Sequence, residues 1–297
     1  MTEEHSMYTV SELRQRVEKQ LEPSLNRLGM IPSPLKEAMT YSLMAGGKRI
    51  RPVLLLAACD AGGGDVDSAL PFACALEMIH TYSCIHDDLP GMDNDVMRRG
   101  KPCNHVVYGV GMGILSGDGL LSAAGEILFQ EILASPSKGR ISCANSIFHY
   151  CGVTGMVAGQ NTDLFMEGKP VTEETVRYIH THKTADMITA AVEGGLHLAE
   201  VNSDMLLAGT SFGRHLGLAF QQMDDLLDVE GDAAQMGKTL GKDAEEGKQT
   251  WIALRGAEGT REDIHLETGK ALASLEIFQE RGKILREIAL SMLGRNT

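Results

Sequence analysis

Aromatic residues are scarce in this chain: one Trp, six Tyr and seven Phe among 297 residues, 5% in all. Strands draw on aromatic and β-branched residues, so a composition rich instead in Ala, Leu, Met and Gly argues against a β-fold and for helices. Proline is also rare, at nine residues, and clusters at expected helix borders such as Ile31-Pro32-Ser33-Pro34 and Leu89-Pro90-Gly91. Positive charge is in deficit, with 27 Lys and Arg against 40 Asp and Glu and a net charge of −13. Nothing therefore supplies the basic stripe that nucleic-acid phosphates need, and a nucleic-acid partner is excluded. No uninterrupted apolar run approaches about 20 residues, so no transmembrane helix is expected. The opening MTEEHSMYTV has no basic or apolar signal region, so no secretion signal is expected. The six cysteines (59, 74, 84, 103, 143 and 151) include no C-x-x-C pair. They read as buried, reduced thiols of a cytoplasmic protein.

What is present has a helical period. Candidate helices cover 9–28, 33–45, 50–60, 67–89, 117–134, 139–159, 172–196, 203–229 and, with breaks, 244–293. No linker or repeat interrupts them, and nothing alternates long enough to require a sheet. The expectation is a single all-α domain over residues 1–297, built as a helical bundle.

Two aspartate clusters stand out. HDDLPGMD carries Asp87, Asp88 and Asp93, and FQQMDDLLD carries Asp224, Asp225 and Asp228. Carboxylates at that density repel one another unless cations lie between them. Magnesium takes oxygen ligands and commonly keeps substrate phosphates in its remaining positions. On helix 67–89, Glu77, His80, Thr81, Cys84, Asp87 and Asp88 share one face, while Leu76, Ile79 and Tyr82 point elsewhere, into packing or a cavity wall. On helix 203–229, Gly217, Gln221, Asp224 and Asp228 flank an apolar stripe of Phe212, Leu216, Phe220, Met223 and Leu227. Anionic oxygens also need protein cations. GGKRIRP offers Lys48, Arg49 and Arg51, with Gly46 and Gly47 permitting close backbone approach. Further along come Arg98 and Arg99, then Lys183 after His182, then Lys238 and Lys248. Any one of these segments alone reads as a solvated helix face or a helix end. Their joint occurrence with both clusters points to a magnesium-bridged diphosphate site.

The ordered blocks GGKRIRP, EMIHTYSCIHDDLPGMDND, RRGKP, LSGD, GMVAGQNTDL, IHTHKT, GLAFQQMDDLLDVEGD and GKTLGKDAEEGKQT carry a resemblance. The chain resembles the short-chain trans-isoprenyl diphosphate synthases (the polyprenyl synthetase family), and among them the bacterial farnesyl type. The resemblance implies an isoprenoid synthase fold, with helices around a central substrate cavity, and a cytoplasmic homodimer. It also implies that an allylic diphosphate ionises, isopentenyl diphosphate attacks the cation, and a proton leaves to the released diphosphate. By the same resemblance Asp87, Asp93 and Asp224 bind three magnesium ions, supported by Asp88, Asp225 and Asp228. Arg98, Lys183 and Lys238 hold the allylic diphosphate, with Lys248 nearby and Gln160 and Asp163 in support. Gly47, Lys48, Arg51, His80 and Arg99 serve isopentenyl diphosphate, and Thr184 and Gln221 turn their dipoles to the allylic cation.

Tyr82 and Ser83 precede Asp87 by five and four residues, which places Tyr82 about 7.5 Å back along the helix. With the two-residue insertion Pro90-Gly91, a tyrosine there resembles the floor of a fifteen-carbon enzyme. A geranylgeranyl diphosphate synthase is the alternative. Four departures from the family pattern stand: Met223 before the second Asp pair, Thr250-Trp251-Ile252 after the last lysine, Cys103 after RRGKP, and a poorly matched tail around Arg295. A terpene cyclase, which shares the first Asp motif, is disfavoured by Asp228 and Asp232 in its second-motif positions and by Lys48, Arg51 and His80. A non-catalytic partner subunit is disfavoured because both clusters are intact. A plain helical binding protein with solvated acidic faces completes the rivals.

Overall fold

The computed structural model describes residues 8–170, 172–230 and 250–294. Its helices are α1 (Val10–Asn26), α2 (Ser33–Leu43), α3 (Ile50–Ala61), α4 (Val66–Asp87), α5 (Asn104–Tyr108), α6 (Val110–Ala134), α7 (Lys138–Cys151), α8 (Met156–Met166), α9 (Glu173–Ile179), α10 (Asp186–Leu198), α11 (Ser203–Glu230), α12 (Trp251–Ser274) and α13 (Lys283–Leu293). A π-helical segment, His180–Ala185, joins α9 to α10, and a 3-10 turn, Glu276–Gly282, precedes α13.

Local chemistry sets many of these boundaries. Thr9 caps α1 in a reciprocal box with Glu12. Asp65 accepts from the backbone of Asp67 at the head of α4, and Ser137 from Arg140 at the head of α7. Pro32 and Pro34 open α2.

The helices α3, α4 and α10 are buried nearly all round, as expected for elements at the centre of a bundle. α3 packs against α4 and α10, α4 against α6, and α10 against α7 and α11. One buried cluster runs from Leu13 to Met292. A smaller one, Met223, Leu226, Leu227 and Ile264, seals α11 against α12.

The structure corrects several sequence boundaries. Helix 117–134 begins earlier, at Val110, with the short α5 before it; Gly109, at φ 85, makes the break. The expected helix 139–159 divides into α7 and α8 between Gly152 and Gly155, where φ/ψ leave the helical region. The expected helix 172–196 contains the π segment. A two-stranded antiparallel hairpin, Met97–Arg98 with Lys101–Pro102, appears where no strand was expected, because two residues are too few to alternate visibly. By length and composition α6, with 25 residues, is apolar enough to cross a membrane. No sequence run showed this, because its glycines and Asp118 interrupt the pattern; its Leu120, Ala124, Ile127 and Leu128 lie in the core.

Candidate active site

A cavity of about 1680 Å³ opens between α4, α8, the π segment and α11. Lys48 and Arg51 reach it from the head of α3; Tyr82, Ser83 and Asp87 from α4; Asp93, Arg98 and Arg99 from the following loop and hairpin. Gln160 and Asp163 come from α8, Lys183 and Thr184 from the π segment, and Gln221, Asp224, Asp225 and Asp228 from α11. Gly47 and His80 complete the set, so nearly all of the expected residues share one space. Lys238, Lys248, Asp232 and Arg295 lie outside the described residues.

The aspartates divide by what holds them. Asp88 is buried and absent from the cavity wall. Both its oxygens accept from Arg98 Nε, at 2.7 and 2.9 Å, and Nη2 lies 2.6 Å from Oδ1. This fork fixes the guanidinium at the cavity edge. Asp225 accepts from the Trp251 backbone at 2.6 Å and from Gln221 Nε2 at 3.2 Å, while His180 Nε2 lies 3.1 Å from its Oδ2. The metal-supporting role expected for these two is thus set against carboxylates already committed to protein donors. Asp87, by contrast, faces the cavity, and burial pushes its carboxyl up to about 6 against the pull of Lys183, with Asp93 pushing further. Removing such a carboxylate from water disfavours its charge until a cation approaches.

The cations are held too. Lys183 Nζ donates to Asp163 Oδ2 at 2.5 Å. Burial lowers its pKa, but Asp163 and Asp87 outweigh that and hold it above the usual lysine range. Arg51 Nη1 lies 3.3 Å from His80 Nε2. Arginine only donates, so this nitrogen accepts and the imidazole is neutral. Burial, reinforced by Arg51, indeed holds His80 well below the usual histidine range. Arg49 also borders the cavity but is committed to its own partners: it pairs with buried Glu77 at 2.7 Å and donates to the Leu43 carbonyl. The buried polar atoms of this wall without a hydrogen-bond partner among the described residues include Arg51 Nε and both ends of the Gln160 amide. Buried orphans of that kind mark where a ligand's polar groups belong.

The π segment is pressed between two helices. A Cβ on Gly159 of α8 would stand 2.2 Å from the Lys183 backbone nitrogen, and one on Gly217 of α11 would stand 2.4 Å from Ala185 Cα. Across this contact Thr184 donates to Gln221 Oε1 at 2.6 Å, and His180 meets Asp225. Spacing alone assigns neither His180 nor Trp251 a place in the site. His180 was nevertheless visible in the IHTHKT block, and Trp251 in the departure after the last lysine. Trp251 is buried, donates its indole N–H to Asp263 at 2.8 Å, and lies under Arg177. Met223 faces the apolar seam with α12, and Cys103 is buried at the head of α5.

Among the described residues no three acidic, His or Cys side chains converge to chelate an ion by themselves. The donor set still fits magnesium. Hard carboxylate oxygens stand on two walls of one cavity, and the ion's remaining positions would go to phosphate oxygens.

Comparison with known proteins assigns the bundle to a class. The polyprenyl synthetase family profile matches residues 32–289. A farnesyl diphosphate synthase of Geobacillus stearothermophilus is 45% identical over 264 residues, 88% of this chain and 89% of that one. A geranylgeranyl diphosphate synthase of Cyanophora paradoxa is 40% identical over 286 residues, 96% and 95% of the two chains. The crystal structure of a geranyltransferase from Legionella pneumophila superposes with a TM-score of 0.85 at 34% identity, covering 96% and 95%. The chain belongs to the polyprenyl synthetase family and is a transferase of prenyl groups.

Proposed function

We propose that this chain is a magnesium-dependent farnesyl diphosphate synthase, condensing isopentenyl diphosphate with dimethylallyl and then geranyl diphosphate. The observation that carries this reading is the single cavity shared by two aspartate walls and a set of cations, with Tyr82 in its lining five residues before Asp87. Asp87, Asp93, Asp224 and Asp228 would hold three magnesium ions, which when bound neutralise the leaving diphosphate as Lewis acids. Arg98 and Lys183, preset by Asp88 and Asp163, hold the allylic diphosphate, joined by Lys238 and Lys248. Gln160 offers its unpartnered amide to the same substrate. Lys48, Arg51, Arg99 and neutral His80, with the Gly47 backbone, take isopentenyl diphosphate. The allylic C–O bond breaks with its electron pair going to the diphosphate, and the Thr184 hydroxyl and Gln221 amide dipoles face the cation. The isopentenyl double bond attacks, a new C–C bond forms, and the proton leaves to the diphosphate. Excluding water matters throughout, because water would trap the cation.

Tyr82 is buried, and burial pushes its hydroxyl up to about 12, so it stays a neutral, bulky floor. The geranylgeranyl reading keeps its place because relatives of both kinds match over most of the chain. The outer faces of α6 and α7 expose Leu115, Phe129, Leu133, Ile141 and Phe148, which fits the expected homodimer. Six free cysteines, five of them buried, fit the expected cytoplasmic setting.

The test is product sizing. The protein is incubated with magnesium, isopentenyl diphosphate and, separately, dimethylallyl, geranyl or farnesyl diphosphate, and the dephosphorylated products are sized by mass. A fifteen-carbon alcohol is expected, and it should vanish with chelator. A twenty-carbon product would move the assignment to the geranylgeranyl type, and cyclic hydrocarbons would move it to the cyclases.

A further inference from the structure

His86 lies one helical turn beyond Tyr82 on α4, and both side chains line the cavity. Their rings meet edge to face, with centroids 5.7 Å apart and planes at 81°. His86 is fixed from its other side as well. Its Nε2 lies 3.1 Å from the Ile114 carbonyl of α6. A carbonyl only accepts, so Nε2 carries the proton. Asp118 Oδ1 stands 3.9 Å from the same nitrogen. The ring has a seat because residue 117 lacks a side chain: a Cβ on Gly117 would stand 2.1 Å from Nε2. The imidazole is thus a strut between α6 and the Tyr82 ring.

We propose that His86 sets product length, acting through Tyr82 as a positioning residue that braces the phenol ring from the α6 side. This rests on the synthase reading above and on Tyr82 as the floor. Without the strut, the Tyr82 ring loses one edge contact and gains freedom to rotate away from a growing chain. Because His86 works through Tyr82, it has nothing to brace once that ring is gone.

The experiment sizes products from geranyl and farnesyl diphosphate for wild type, His86→Ala, Tyr82→Ala and the double variant. His86→Ala is expected to raise the share of products longer than the wild-type product several-fold. Tyr82→Ala is expected to raise it further, and the double variant to match Tyr82→Ala. Should His86→Ala fold poorly, His86→Gln, which keeps a donor for Ile114 but lacks the ring, is expected to lengthen the product as well. Unchanged length in both His86 variants overturns the inference, and so does a double variant longer than Tyr82→Ala. Unchanged length in Tyr82→Ala overturns the floor and the strut together. A wild-type protein that makes no prenyl product overturns the synthase reading itself.

Discussion

Asp225 is gripped from three directions, by Gln221, His180 and the Trp251 backbone, and His180 is the grip that joins it to the segment carrying Lys183. His180 is 2% exposed and Asp225 is 4% exposed, so this contact is buried on both sides. Leaving a buried charged group without one of its close partners costs about 1–3 kcal/mol, which as a barrier change is on the order of tenfold in rate. His180→Leu is therefore expected to lower kcat by about that factor with KM for isopentenyl diphosphate nearly unchanged. His180→Gln places an amide N–H near the lost Nε2 and should recover most of the rate. Steady-state kinetics on both variants checks this; equal losses in the two would remove His180 from the role. The residue scale is also where sequence reading stopped short. Spacing marked both aspartate clusters, since i, i+4 periodicity puts Asp224 and Asp228 on one face. It could not say that Asp88, next to Asp87, turns away to hold Arg98, because neighbours on a helix diverge and only packing decides which one faces the cavity.

The π segment shows why elements carry more than their sequence announces. An i→i+5 turn leaves no distinctive hydrophobic period, so the helix expected over 172–196 looked continuous. The two glycines that grip the segment sit inside ordinary helical patterns, and their purpose shows only once the helices are packed. The breaks at Gly109 and between Gly152 and Gly155 were hidden for the same reason. Gly159→Ala tests this packing. Its new Cβ would meet backbone rather than a flexible side chain, so the Lys183 turn must shift. A loss of about 1–3 kcal/mol is expected from overpacking of this kind. Activity should fall beyond what the stability loss explains, because Lys183 moves with its backbone. Chemical denaturation and turnover measured together decide it, and a variant as stable and active as wild type would refute the tight grip.

For the whole molecule, the low aromatic content and sustained helical period were enough to expect an all-α bundle, and the structure has one, with a two-residue-per-strand hairpin as its only sheet among the described residues. Shape at this scale was less legible. Nothing in the sequence separated the inner face of α6 from the outer face that exposes Leu115, Phe129 and Leu133. Exposed apolar side chains on neighbouring helices are what an obligate interface needs. Replacing Phe129 and Leu133 with Asp is expected to convert a dimer to monomer in sedimentation velocity. A wild-type protein that sediments as a monomer would cancel this expectation.

The bond from the Trp251 amide to Asp225 has a further meaning. The first N–H groups of a helix have no partner within it. At α12 the Thr250 side chain supplies no cap, so one of those donors is met by a carboxylate delivered from α11. The negative charge also sits at the positive end of the α12 dipole. Asp225 is therefore a helix cap borrowed across the chain, and the second acidic motif fastens the C-terminal helices as well as walling the cavity. Folding and chemistry constrain that position together, so a substitution there lowers stability by about the 0.5–2 kcal/mol of a lost cap as well as altering the cavity wall.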